Sequence, residues 1–211
     1  MFPQQPQQQF RTAGADVRLF YKDSVWGKPT GVSHVYMMLI GGGGNGNAST
    51  SGGGSAAVTV WYGAAQHIPD ALVVSVSTGN AVNTTVNYRS ASGLIALLTA
   101  NGATTITAGT AMTANQFAAS GFFQSVAGQA GSTTDIAASA TTFLSGGADL
   151  ASNDVVANYG YDSTATDAKG FFLMQPIIIG VGGSGSGIGG IGCGGGVTGT
   201  GAPGMVLVAS W

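Results

Sequence analysis

The chain has 211 residues, 37 of them glycine and 44% hydrophobic, with six basic and eight acidic side chains and a net charge of −2. That apolar fraction excludes a disordered chain, six prolines without a Gly-X-Y period exclude collagen, and the slightly acidic balance offers no basic footprint for nucleic acid. The length suits a single core, and so few charges, none of them glutamate, leave little material for solvated, salt-bridged helices, so an all-β fold is expected.

Residues 1–15 read as an extended N-terminal arm. Pro3 and Pro6 block helix there, and the glutamines suit polar contact with an adjacent subunit. Residues 16–211 are expected to form one domain, starting with a short strand at 17–21. The run Trp26-Gly27-Lys28-Pro29-Thr30-Gly31 predicts a turn from its proline and glycine placement, and 32–40 predicts a strong strand. A first glycine tract, 41–54, follows. Strands are then expected at 56–62 and 71–77, joined through a turn at His67-Ile68-Pro69-Asp70, and again at 84–88 and 93–99.

From 101 to about 170 the chain is mostly Ala, Thr, Ser and Gly with scattered aromatics, among them Phe117, Phe122, Phe123, Phe143, Tyr159 and Tyr161. Small residues build a thin core, so this middle reads as loops and short strands, an irregular insertion pinned by its rings. Residues 171–174 and 177–179 are expected to resume the sheet, a second glycine tract spans 180–204, and 205–211 closes the fold. The architecture these elements predict is a jelly-roll-like β-sandwich that displays glycine-rich loops.

The motifs that suggest chemistry are weak in context. Gly185-Ser186-Gly187-Ile188-Gly189-Gly190 satisfies a dinucleotide-binding pattern, yet more glycine follows where a helix N-terminus is needed, and no acidic residue occurs after Asp167. His34 and His67 are the only histidines, and no nucleophile context accompanies Asp70 near His67. Asp149, Asp154, Asp162 and Asp167 lack calcium-loop spacing and read as a solvated stretch. Cys193, the single cysteine, reads as a small buried thiol, and Trp26, Trp61 and Trp211 read as core residues. No catalytic, cofactor or metal residue is assigned. No secretory leader or membrane span is expected either, since the first residues lack a basic start and no apolar run approaches about 18 residues.

The stretch from Val25 to Gly44, Val-Trp-Gly-Lys-Pro-Thr-Gly-Val-Ser-His-Val-Tyr-Met-Met-Leu-Ile-Gly-Gly-Gly-Gly, resembles the opening of the glycine-rich domain of bacteriophage virion and tail-fibre proteins. Gly52-Gly53-Gly54 before a strand, a strand ending at Thr78-Gly79, and Gly201-Ala202-Pro203-Gly204 before the closing strand are similar in order. The middle departs from that family by its low glycine content, and the N-terminal arm has no counterpart in it. The resemblance implies a virion component: a capsid decoration, spike or fibre subunit that packs against itself, as a trimer for example, and against other virion proteins. The alternative is an adhesin for a host receptor or surface glycan, with a glycan depolymerase as a distant third. Asn45, Asn47, Ile188 and Ile191 are the residues expected to contact a receptor or subunit.

Overall fold

The computed structural model of the chain describes residues 10–12, 15–47, 51–133, 144, 146–147, 173–174, 177–178, 182–183 and 187–211. Its strands are β1 (Phe10–Thr12), β2 (Ala15–Phe20), β3 (Ser24–Gly27), β4 (His34–Ile40), β5 (Val58–Ala64), β6 (Ala71–Ser75), β7 (Thr84–Ser90), β8 (Gly93–Ala100), β9 (Phe122–Val126), β10 (Leu173–Met174), β11 (Ile177–Ile178) and β12 (Met205–Ser210). Short 3-10 turns at Ala65–His67 and Ala118–Ser120 are the helical pieces among the described residues. The fold is the expected all-β sandwich. A six-stranded sheet, in the order β1-β2-β12-β4-β5-β9, faces a four-stranded sheet, β3-β6-β7-β8, and every pairing is antiparallel.

Strict alternation builds the core. Val35, Met37 and Leu39 of β4 point inward, level with Trp61 of β5 and Val206 and Val208 of β12, and meet Trp26, Leu72, Val74, Val86 and Leu98 from the other sheet. The opposite parity, Tyr36 and Met38 with Val60, Tyr62 and Leu207, forms the outer face of the six-stranded sheet. One part of that face is covered: Leu144 and Cys193 pack with Ile40, Ala56, Val58 and Met205 in a second apolar cluster, and Met38, Val60 and Ile191 lie against it. Cys193 is buried, as expected of a small thiol.

The core is organised around two wholly buried indoles, Trp26 and Trp61. Trp61 stacks on Phe117, with ring centroids 4.9 Å apart, and its benzo edge lies where glycines leave room. A Cβ on Gly63 would come within 2.5 Å of Trp61 Cζ2, and one on Gly121 within 2.9 Å. Neither indole N–H finds an acceptor among the described residues, so apolar volume rather than hydrogen bonding holds these rings in place.

Four expectations need correction. Ser24–Gly27 is strand β3, paired with β6, because Trp26 is drawn into the core; only the residues after Gly27 turn, tied by the Lys28 ammonium to the Ile68 carbonyl at 2.7 Å and to Asp70 at 3.1 Å. The last residues of the arm, β1, fold back on β2 as an edge strand, while residues 1–9 lie outside the described residues. Strands β10 and β11 pair with each other and join neither large sheet. Trp211 is exposed, whereas Trp26 and Trp61 are core as expected. Phe143, Tyr159, Tyr161 and the four aspartates from 149 to 167 fall outside the described residues.

Gly121→Ala should lower stability by about 1–3 kcal/mol through overpacking against the Tyr62 carbonyl and Trp61. Urea unfolding followed by tryptophan emission measures it, with an unchanged slope and an earlier midpoint as the expected result.

Candidate functional site: a glycine lattice at one end of the sandwich

Strands β4, β6, β8 and β9 leave the sandwich at the end where β5, β7 and β12 enter it, and the glycine tracts continue them there. The sequence here has almost no side chains to pack, so cohesion has to come from the backbone. Six successive amides from Gly41 to Gly46 donate in turn to Ala57 O, Val82 O, Ala202 O, Gly54 O, Asn80 Oδ1 and Gly199 O, at 2.8 to 3.3 Å. The acceptors recur with a period of three: the first and fourth lie on segment 51–57, the second and fifth on 79–82, the third and sixth on 199–203.

The neighbouring segment repeats the pattern. Amides 52 to 57 donate to the carbonyls of Ser132, Gly195, Thr105, Gln129, Gly192 and Asn101, at 2.6 to 2.9 Å. Again each third amide reaches the same neighbour. A pleated strand has a period of two and at most two neighbours, whereas a threefold extended helix of the polyproline II type aims successive amides about 120° apart. Segments 41–46, 52–57 and 192–196 accordingly bond to one another pairwise, closed by Gly195 N to Gly44 O at 3.0 Å, a triangular arrangement that no single sheet permits.

Chains packed this closely exclude Cβ atoms. One added to Gly43 would collide with the Cys193 carbonyl, to Gly53 with that of Gly44, to Gly194 with that of Gly53, and to Gly201 with that of Gly43. Gly192, at φ +70, makes the left-handed turn that brings the 192–196 segment into line. Segments 101–109 and 128–132, read from sequence as part of an irregular insertion, belong to this lattice. A Cβ at Gly128 or Gly131 would strike the carbonyls of Ser55 and Gly52, three residues apart on each side.

The four expected contact residues divide. Asn45 is built into the lattice, its Oδ1 accepting from Gly201 N at 2.8 Å. Ile191 is half-buried against the cluster around Ile40 and Met205. Asn47 is exposed, with its amide bonded to Ser51 O at 2.8 Å, and Ile188 is 65% exposed. These last two share the distal end: Gly46 donates to Gly199 O, and Gly199 abuts the Gly187 carbonyl. Val82 and Ile106 are further exposed apolar residues of the lattice, and no sequence pattern marks either. Segments 41–47, 51–57, 79–83, 101–109, 128–133 and 187–204 carry no charged side chain, so the lattice itself is electrically neutral; the charges at this end are Lys22 and Asp23 of the β2–β3 turn, where Asp23 accepts from Val76 N at 2.8 Å.

Among the described residues no group of three or more His, Cys, Asp or Glu side chains is placed to hold a metal, and no helix is long and apolar enough to cross a membrane. His67 sits exposed in the 3-10 turn after β5, and no helix follows Gly187-Ile188-Gly189-Gly190 among the described residues. Compared with protein-family models, curated proteins and solved structures, the chain matches none.

Hydrogen exchange separates this lattice from an ordinary loop: amides 41–46 and 52–57 should exchange as slowly as those of β4, although neither segment is sheet. Gly53→Ala should cost about 3 kcal/mol or more, from overpacking and lost hydrogen bonds together. Gly27→Ala, where a Cβ meets nothing within 4 Å, is the control and should change stability by less than about 0.5 kcal/mol in the same urea titration.

Proposed function

We propose that the chain is a structural component of a bacteriophage particle, a capsid decoration, spike or fibre subunit, that acts by packing against neighbours rather than by making or breaking bonds. The observation that carries this reading is the lattice. Backbone groups that satisfy one another in three directions give a tip that is stiff, neutral and insensitive to salt, which suits a part that must hold shape outside a cell. The resemblance of residues 25–44 to the glycine-rich domain of phage virion proteins supports the same reading, and a charge-free lattice favours close contact with other copies of the chain.

A second reading, a host-receptor adhesin, is favoured by Ile188 and Asn47, which stand exposed at the distal end of a rigid support. Preorganised loops lose little entropy on contact, and side chains at such a tip set specificity without disturbing the scaffold.

Both readings are tested on assembled particles. Deletion of residues 1–12 should abolish incorporation, measured by mass spectrometry of purified particles; full incorporation of the truncated chain refutes a docking role for the arm. Asn47→Ala with Ile188→Ala should leave incorporation intact. A loss of host adsorption in that variant supports the adhesin, and unchanged adsorption leaves the packing role alone.

A further inference from the structure

The end of the sandwich opposite the lattice carries a different surface. His34, Tyr62 and Trp211 lie together there, with ring centroids 5.6 Å apart for His34 and Tyr62, 6.2 Å for His34 and Trp211, and 5.8 Å for Tyr62 and Trp211. Their planes agree within 13 to 21°. Three nearly equal separations between nearly parallel rings cannot form one column, in which the outer pair would be about twice as far apart as each neighbouring pair. The rings are therefore offset side by side as a stepped plate. Tyr62 is 37% exposed and Trp211 43%, and Phe122, opposite Tyr62 across β5 and β9, lies beside the plate on the same face at 61% exposure.

The plate is held before any ligand arrives. Trp211 N donates to His34 O at 3.1 Å, His34 N and Ser33 N donate to Trp211 O at 3.0 and 2.7 Å, and β4 beneath is flanked by β12 and β5. The Ser33 hydroxyl lies 3.0 Å from His34 Nδ1, fixing the imidazole and leaving Nε2 as its other polar atom. Strands β4, β5, β9 and β12 contain no charged residue. On β2, Asp16 and Arg18 bond each other at 2.9 Å and lie on the face opposite to Leu19.

We propose that this plate binds a neutral saccharide chain. A pyranose presents one face of C–H bonds, which stacks on an aromatic ring, and a rim of hydroxyls, which here would meet His34 Nε2, the Tyr62 phenol and Gln124, two residues from Phe122 on the same face. The strands of the plate bring no charge, and the charges at the same end, Lys28 and Asp70, pair with each other at 3.1 Å, which favours a neutral sugar over a phosphate or an acidic glycan. The openness of the plate also selects a polymer that buries one face and keeps the other in water; a compact apolar ligand would need a pocket. The site stands on this geometry and does not rest on the particle reading.

Tryptophan emission tests it directly, because Trp26 and Trp61 are wholly buried and Trp211 alone answers at the surface. Purified full-length chain would be titrated with neutral cello-, xylo-, manno- and malto-hexaoses, with light scattering in parallel. At least one should shift the exposed emission with a Kd in the micromolar to millimolar range. By calorimetry, Tyr62→Ala and Trp211→Ala should each weaken that binding about tenfold or more, and Trp211→Phe, which keeps a ring, by less. Three results would overturn the proposal: no binding by any sugar at 10-fold excess over ~1 mM, binding unchanged in folded Tyr62→Ala, or a wild-type oligomer that the same substitutions dissociate, which makes the plate a contact between copies.

Discussion

The whole architecture depends on backbone approaching backbone at distances that a Cβ forbids. Residues without side chains contribute no hydrophobic burial and lose the most conformational entropy on folding, so a long glycine tract is ordinarily a poor folding unit. Here that loss is offset by hydrogen bonds in three directions at once. The bonds from Gly41 to Gly46 and from Gly52 to Ala57 leave no amide unused, and segments that would otherwise be solvated loops become an interior. The sandwich supplies the starting geometry: strands emerging from two packed sheets are already close and antiparallel, and the threefold segments continue them.

This arrangement divides the molecule into two kinds of order. In the sandwich, side-chain volume is decisive: Trp26, Trp61 and Met37 fill the space between the sheets, and glycines 63 and 121 are cut-outs for a ring. Beyond Ile40 and Ala100 the same chain is held by main-chain atoms, and its few side chains with polar tips, such as Asn45 and Ser77, act as spare backbone donors and acceptors. Ser55 does the same, accepting from Gln129 N at 2.7 Å.

What was readable in the sequence follows that division. The strands flanking the tracts were plain, because alternating Val35, Met37 and Leu39 or β-branched Val58 and Val60 leave a side-chain pattern. β3 was obscured because Trp26 and Gly27 stand directly before Lys28 and Pro29, and turn chemistry there outweighed a strand of four residues. The membership of 101–109 and 128–132 in the lattice was harder to see. Main-chain hydrogen bonding leaves its mark only where a Cβ is forbidden, and the spacing of Gly128 and Gly131 is the faint trace of it. The outward set of Trp211, by contrast, was available by counting: Val206, Val208 and Ser210 face in, so the next odd position faces out.

The position of β12 between β2 and β4 has a consequence for how the molecule is made. Until residues 205–210 are in place, β2 and β4 are two unsatisfied edges about 165 or more positions upstream, and the six-stranded sheet exists only as halves. Assembly of the sandwich is thus governed by an insertion across nearly the whole polypeptide. During synthesis the inner face of β4 can be covered early by β3 and β6 to β8, but the backbone edges of β2 and β4 must wait for a partner strand made long after them.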